Sequence, residues 1–218
     1  MKGKLKLIGG KSLQSPKGLC ARPTTSKVRE AVINILQTEL KNSHWLDICS
    51  GSGVMGCEAI QRGASRIVCI EFNKKIAAIC RKNLISTAAD SLESSHLEVI
   101  CNEARKVLKE GCKKYSTKFI KKYSHIDPRF DSVYIDPPYE ANLYKTILQN
   151  LLLGQWIKRD ALVICECSKK LIPEIPLQWD IKEQRKYGSI CLLFLTPNLA
   201  LNSHADIDSR LQQISLEW

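Results

Sequence analysis

Two short stretches hold residue types whose spacing could do chemistry. The first is VYIDPPYE, residues 133–140, where an apolar run ends in Asp136, Pro137, Pro138 and Tyr139. Proline fixes φ and has no N–H, so a carboxylate followed by two prolines is an acceptor on a rigid backbone with no competing donor. The Asp136 carboxylate and the Pro137 main-chain carbonyl could together accept the two hydrogens of an exocyclic amine. Such an amine on a nucleobase is a poor nucleophile, because its lone pair is delocalised into the ring. Two aimed acceptors hold it in line and let it become tetrahedral. Tyr139 could stack on the base, and Asp136 could take the proton as the amine becomes charged. By itself the tetrapeptide also reads as a plain turn.

The second stretch is DICSGSGVMG, residues 47–56. Gly51, Gly53 and Gly56 satisfy G-x-G-x-x-G, which alone is a weak sign of a nucleotide loop. Asp47, four residues before Gly51, separates two cofactor classes. A dinucleotide brings a diphosphate against this loop and the helix N-terminus behind it, where a carboxylate would repel it. S-adenosylmethionine carries an ammonium and a sulfonium and no phosphate, so Asp47 favours it. Glu71 ends the next apolar run and could accept hydrogen bonds from both ribose hydroxyls, with Phe72 lying against the adenine. Asn102 or Glu103, after the third run, could bind the adenine amino group.

The elements that must position these residues follow from the apolar pattern. HWLDIC (44–49), RIVCIE (66–71), LEVIC (97–101), DSVYID (131–136) and ALVICE (161–166) are short, apolar and rich in β-branched residues, the signature of buried parallel strands. Between them lie VMGCEAIQRG with a Gly63 cap, NKKIAAICRKNLISTA, a Lys-rich helix near 103–123, and ANLYKTILQNLLL. This alternation predicts a doubly wound α/β sheet with its ligand at the carboxyl ends of the strands. Residues 177–195 read as an antiparallel hairpin on one edge. An N-terminal helix starts at Thr24 or Thr25, either of which can cap it, and buries Val28, Val32, Ile35, Leu36 and Leu40. Three segments result: a basic extension with a small hairpin (1–23), the α/β domain (24–196) and a polar tail (197–218).

The 218 residues are ordinarily globular, 44% apolar and 25% charged, with no membrane-length apolar run and no signal-peptide core. Ten cysteines form no C-x-x-C pair, and the nearest two, Cys165 and Cys167, are expected on opposite faces of a strand. Reduced packing thiols in the cytoplasm are the better reading, with no metal. The net charge of +11 points to a polyanionic partner. Lys2, Lys4, Lys6, Lys11, Lys17, Arg22, Lys27 and Arg29 occupy the first 29 residues with no acid among them, and Lys113, Lys114, Lys118, Lys121 and Lys122 form a second cluster. A merely solvated helix face explains the second cluster equally well.

RPTTSKVREAVINIL (22–36), LDICSGSGVMGCEAIQRGA (46–64), IEFNKKIAAICRKNL (70–84), FDSVYIDPPYE (130–140), LVICE (162–166) and KYGS (186–189) together resemble the RsmD family of 16S rRNA (guanine-N2)-methyltransferases. The resemblance covers roughly residues 4–196. It implies a Rossmann-like class I methyltransferase, dependent on S-adenosylmethionine, that methylates one guanine of 16S rRNA in a partly assembled small subunit. By residue, Asp47, Gly51 and Gly53 match the family's cofactor loop, Glu71 its ribose acid, and Asp136, Pro137, Pro138 and Tyr139 its catalytic tetrapeptide. Arg22, Thr24, Thr25 and Arg29 match its N-terminal block, expected beside the target nucleotide, with Lys11 nearby. The chain departs from the pattern at Glu103, where the family has Asp, in a longer basic stretch at 112–129, in a compact segment before Arg22, and in the tail. The compact N-terminus and the Trp-Leu-Asp-Ile-Cys strand look like the cyanobacterial or plastid branch. A monomer is expected.

Other readings stay open on the residues alone. An adenine-N6 methyltransferase shares the Asp-Pro-Pro-Tyr chemistry but generally needs a further domain to flip its base. A ribosome-assembly factor with a relic cofactor site, and an NAD(P)-dependent enzyme, are less well matched by Asp47 and Asp136.

Overall fold

The computed structural model describes residues 5–16, 24–90, 95–138, 141–198 and 200. Seven strands form one sheet: β1 (His44–Ile48), β2 (Arg66–Ile70), β3 (His96–Ile100), β4 (Phe130–Ile135), β5 (Ile157–Ser168), β6 (Trp179–Tyr187) and β7 (Ile190–Pro197). Their order is β3-β2-β1-β4-β5-β7-β6. The first five run parallel, and β7 is antiparallel to both β5 and β6. The order reverses between β1 and β4, which makes their carboxyl ends the switch point where such sheets bind ligands.

Burial on both sides explains the continuous apolar runs. Along β1, Trp45 faces one core with Val28, Val32, Leu36, Met55, Tyr134 and Phe194. Leu46 and Ile48 face the other, with Val107, Leu108, Leu148, Leu151 and Trp156. Helices α1 (Ser26–Ile35), α2 (Val54–Ile60) and α3 (Lys74–Ala89) cover the first face, and α4 (Ala104–Glu110) and α7 (Ala141–Leu153) the second. Thr25 caps α1 by accepting a hydrogen bond from the Val28 N–H. Val28, Val32, Leu36 and Leu40 are fully buried, whereas Ile35 is half-buried. In the N-terminal segment, Leu5 to Leu13 makes a tight antiparallel turn whose Leu7 and Leu13 enter the first core.

Three sequence expectations need correction. The single helix expected near 103–123 is three short ones, α4, α5 (Cys112–Tyr115) and α6 (Thr117–Lys122). Gly111 breaks it, at φ +87, a conformation that ends helices and suits glycine. Helix α2 stops at Ile60 rather than running to Gly63. Cys165 and Cys167, two apart on β5, share a face and sit in the same core, because side chains on a strand repeat every two residues. Both are free thiols. Among the described residues, no helix is long and apolar enough to cross a membrane, and no group of His, Cys, Asp and Glu could hold a metal ion.

At the amino ends of the strands, α5 and α6 close the sheet over an aromatic cluster. Arg66, 1% exposed, lies over the rings of Phe119 and Phe130 at 4.3 and 4.6 Å. It donates to Ser116 Oγ at 2.9 Å and to the Pro128 carbonyl. His44 and His96 meet Phe119 edge-on, each with ring centroids 5.3 Å away. Burial lowers the His44 pKa, against the pull of the Arg129 carbonyl.

Candidate active site

The opposite rim is built from loops that leave β1, β2, β4 and β5. After β1 the chain turns sharply through Cys49 (φ +62), Gly51 (φ +53) and Gly53 (φ +74) before α2 begins. Gly53 is required by contact as well as by φ, since a Cβ there would stand 2.5 Å from Cys80 Sγ on α3. Gly51 is different: a Cβ there would meet no atom within 4 Å, so its backbone faces open space. That space is a cavity of about 440 Å³, a size suited to a small-molecule ligand. Gly51, Glu71, Phe72, Asp136, Pro137, Pro138 and Glu166 all line it, as does Thr24 at the start of the N-terminal helix.

Glu71 ties β2 to the loop. Its Oε2 accepts from the Gly51 N–H at 2.9 Å and its Oε1 from the Asn73 N–H at 2.8 Å. Burial raises its pKa, and these main-chain N–H groups oppose the rise. Phe72 beside it is 76% exposed, a large ring with one face available to a ligand. Asp136 follows β4, and its N–H donates to the Ile48 carbonyl at 3.2 Å, which fixes the start of the tetrapeptide to the end of β1. Tyr139 and Arg22 lie outside the described residues.

Several expected site residues are placed elsewhere. Asp47 lies beneath the loop rather than on the cavity wall, 2% exposed, accepting from the Gly56 N–H at 3.3 Å. Burial pushes its pKa up to about 7, against the pull of that N–H and with some help from the Glu71 charge. Asn102 and Glu103 sit at the end of β3 but off the cavity, and Glu103 is bonded to Arg105 at 2.6 Å. Arg29, expected to face RNA, is instead 5% exposed. Its guanidinium donates to the carbonyls of Thr24 (2.9 Å) and Lys6 (2.6 Å) and lies 3.4 Å from Glu58, so it ties the N-terminal segment to α1 and α2. Lys11 is engaged by Asp90 and the Ser86 carbonyl, both at 2.5 Å, away from the cavity. Thr25 is the α1 cap.

Of the three carboxylates that line the cavity, Glu166 escaped the sequence reading. Glu166 is 7% exposed and accepts a hydrogen bond from the Tyr134 hydroxyl. The available signal was positional, since Glu166 comes near the end of β5 as Asp136 follows β4.

The cavity wall discriminates between ligands. It carries the carboxylates of Glu71, Asp136 and Glu166 and, among the described residues, no Lys or Arg. A diphosphate would find three like charges there, whereas a cationic ligand would be attracted.

Comparison with known proteins gives the same direction. The family model described as Conserved hypothetical protein 95 matches residues 3–196. Ribosomal RNA small subunit methyltransferase D of Buchnera aphidicola subsp. Baizongia pistaciae is 33% identical over 172 residues, 78% of each chain. The Haemophilus influenzae protein of the same name is 28% identical over 193 residues, covering 87% of this chain and 92% of that one. The solved structure of yhhF from Escherichia coli superposes with a TM-score of 0.72 at 23% identity, covering 89% of this chain and 98% of that one. The sheet, its rim and these matches agree: the chain belongs to the RsmD family, the ribosomal RNA small subunit methyltransferase D proteins.

Proposed function

We propose that this protein transfers a methyl group from S-adenosylmethionine to the exocyclic N2 of one guanine in small-subunit rRNA. The observation that carries the reading is the acidic wall, without Lys or Arg among the described residues, on which Asp136 and Pro137 stand beside the open glycine loop. Glu71 and Asp136, the carboxylates of that wall at the ends of the strands flanking the loop, fit the cofactor's positive charge. The Gly51 backbone, the Glu71 carboxylate and the exposed Phe72 ring would hold it, Glu71 on the ribose and Phe72 on the adenine. Asp47, buried under the loop, fixes the turn by accepting from the Gly56 N–H. Bound S-adenosylmethionine supplies an electrophilic methyl on its sulfonium.

The chain's own residues orient the amine. The Asp136 carboxylate and the Pro137 carbonyl accept its two hydrogens, which turns the lone pair out of conjugation with the ring. Asp136 then receives the proton as the nitrogen becomes cationic. The two prolines keep both acceptors in place, and Tyr139 stacks on the base. The target strand enters past the N-terminal block, where Thr24 reaches the cavity wall; Arg22 is the residue we assign to the RNA there. The substrate is the assembling small subunit in the cytoplasm, and the protein acts as a monomer.

Nucleoside mass spectrometry tests this. Small subunits from cells lacking the protein are incubated with it and S-adenosylmethionine, alongside Asp136→Ala. N2-methylguanosine at one position, absent in the control, is the expected result. Methyl on adenine would move the enzyme to the N6 class, and no methyl at all would leave an assembly factor. Arg22→Ala should weaken rRNA methylation without changing affinity for S-adenosylhomocysteine; an equal loss of both would make Arg22 structural.

A further inference from the structure

Two carboxylates stand on neighbouring strands at the rim. Ile135 of β4 pairs with Cys165 of β5, so Asp136 and Glu166 are the next residues along parallel strands, about 5 Å apart at normal strand spacing. Both line the cavity. The sheet order β2-β1-β4-β5 puts Glu166 on the far side of Asp136 from the glycine loop and Glu71. It is therefore on the side left for the target base.

Glu166 is also held with unusual care. The Tyr134 hydroxyl donates to its Oε2, and the Tyr144 hydroxyl donates to its main-chain carbonyl. Burial raises the pKa of both phenols, which keeps them protonated and able to donate. Burying a carboxylate to 7% exposure is costly unless its acceptors are used.

We propose that Glu166 is a specificity-determining residue that accepts a hydrogen bond from the N1–H of the target guanine, with Tyr134 as its positioning residue. The assignment rests on the guanine-N2 reading above. Guanine presents two adjacent kinds of donor on one edge, the N2 amine and N1–H. With the amine on Asp136 and Pro137, N1–H is the next group along that edge, and the carboxylate one strand over meets it. Adenine presents its amine beside an N1 lone pair, which a carboxylate would repel. One group thus favours the right base and opposes the wrong one.

The test replaces the target guanine with 2-aminopurine, which keeps the N2 amine but has a lone pair at N1. Small subunits reconstituted with either base at the methylated position are compared by kcat/KM. The wild-type protein should prefer guanine by about 100-fold. Glu166→Gln, whose amide can donate to an N1 lone pair, should narrow that preference to within about tenfold, with unchanged calorimetric affinity for S-adenosylhomocysteine. Tyr134→Phe leaves the carboxylate but loosens it, and should narrow the preference by a smaller factor; it carries the test if Glu166→Gln does not fold. Unchanged preference in either folded variant overturns the assignment, as does a fall in S-adenosylhomocysteine affinity, which would put Glu166 in the cofactor site. Absence of N2-methylguanosine from natural subunits treated with wild-type protein would sink the functional reading itself. Normal guanine methylation with an unaltered preference would sink this assignment alone.

Discussion

At the amino ends of the strands, Arg66 is sealed under Phe119 and Phe130 with its guanidinium donating to Ser116 and Pro128. At the carboxyl ends, Glu71, Asp136 and Glu166 line an open cavity. Both ends bring charge out of water, but they compensate it differently. The Arg66 charge is met by ring faces, a hydroxyl and a carbonyl, all fixed within the protein. The Glu71 carboxylate is met by main-chain N–H groups, and no Lys or Arg is found on the cavity wall among the described residues. One end meets its charge from within the fold, and the other gathers three carboxylates around an open cavity. Stability and function are thereby assigned to opposite ends of the same strands.

Substitutions can break that division. The largest effect should come from Asp136→Asn, which removes charge from the rim. Methyl transfer should fall about 10²- to 10⁴-fold, read as single-turnover rate, with the melting temperature unchanged or raised. A large loss of melting temperature would show that the rim also carries stability. The opposite outcome is expected for Arg66→Met. Unfolding free energy in urea should fall by about 2–4 kcal/mol as the ring faces and hydrogen bonds are lost. Methylation per folded molecule should be unaffected.

Asp47 offers a pH test of the same comparison. Its carboxyl is raised from 3.8 to about 7 in the folded protein, so the native state holds a proton that the unfolded chain releases. Stability from this group is therefore present below about pH 4 and lost as pH rises through about 7. Urea midpoints measured across that window should decline with pH in the wild-type protein and decline less in Asp47→Asn. An identical slope in both would mean that Asp47 is not the proton holder. The smallest effect should be that of Thr25→Ala, where loss of the α1 cap costs about 1 kcal/mol of stability. Methylation should change little, because the side chain of Thr25 bonds its own helix.

The strands were legible because burial on both faces leaves a continuous apolar run, as at residues 67–70 and 133–135. β5 is longer than its apolar stretch, because Lys158, Arg159 and Asp160 continue it and a register shift against β4 accommodates them. The break at Gly111 was hidden by lysines spaced closely enough to suggest one helix. Within the site, Gly51, Glu71, Phe72, Asp136 and Pro137 could be read from strand ends and turn chemistry, and the structure brings them to one cavity. Charge counting could not say that Arg29 is interior; Glu58 on α2, 3.4 Å from its guanidinium, decides it. Nor could it find Glu166, whose role depends on Tyr134 from another strand.

The insertion of β7 between β5 and β6 has a consequence for synthesis. The strand that covers the flank of β5 is the last to be translated, and its Cys191, Leu192, Leu193, Phe194 and Leu195 are all buried. Until those residues leave the ribosome, β5 presents an unpaired edge, a template for pairing with other chains. The nascent chain therefore cannot close its sheet vectorially from the amino end. A stop introduced after Tyr187 should yield an insoluble product even though the whole catalytic rim has already been made.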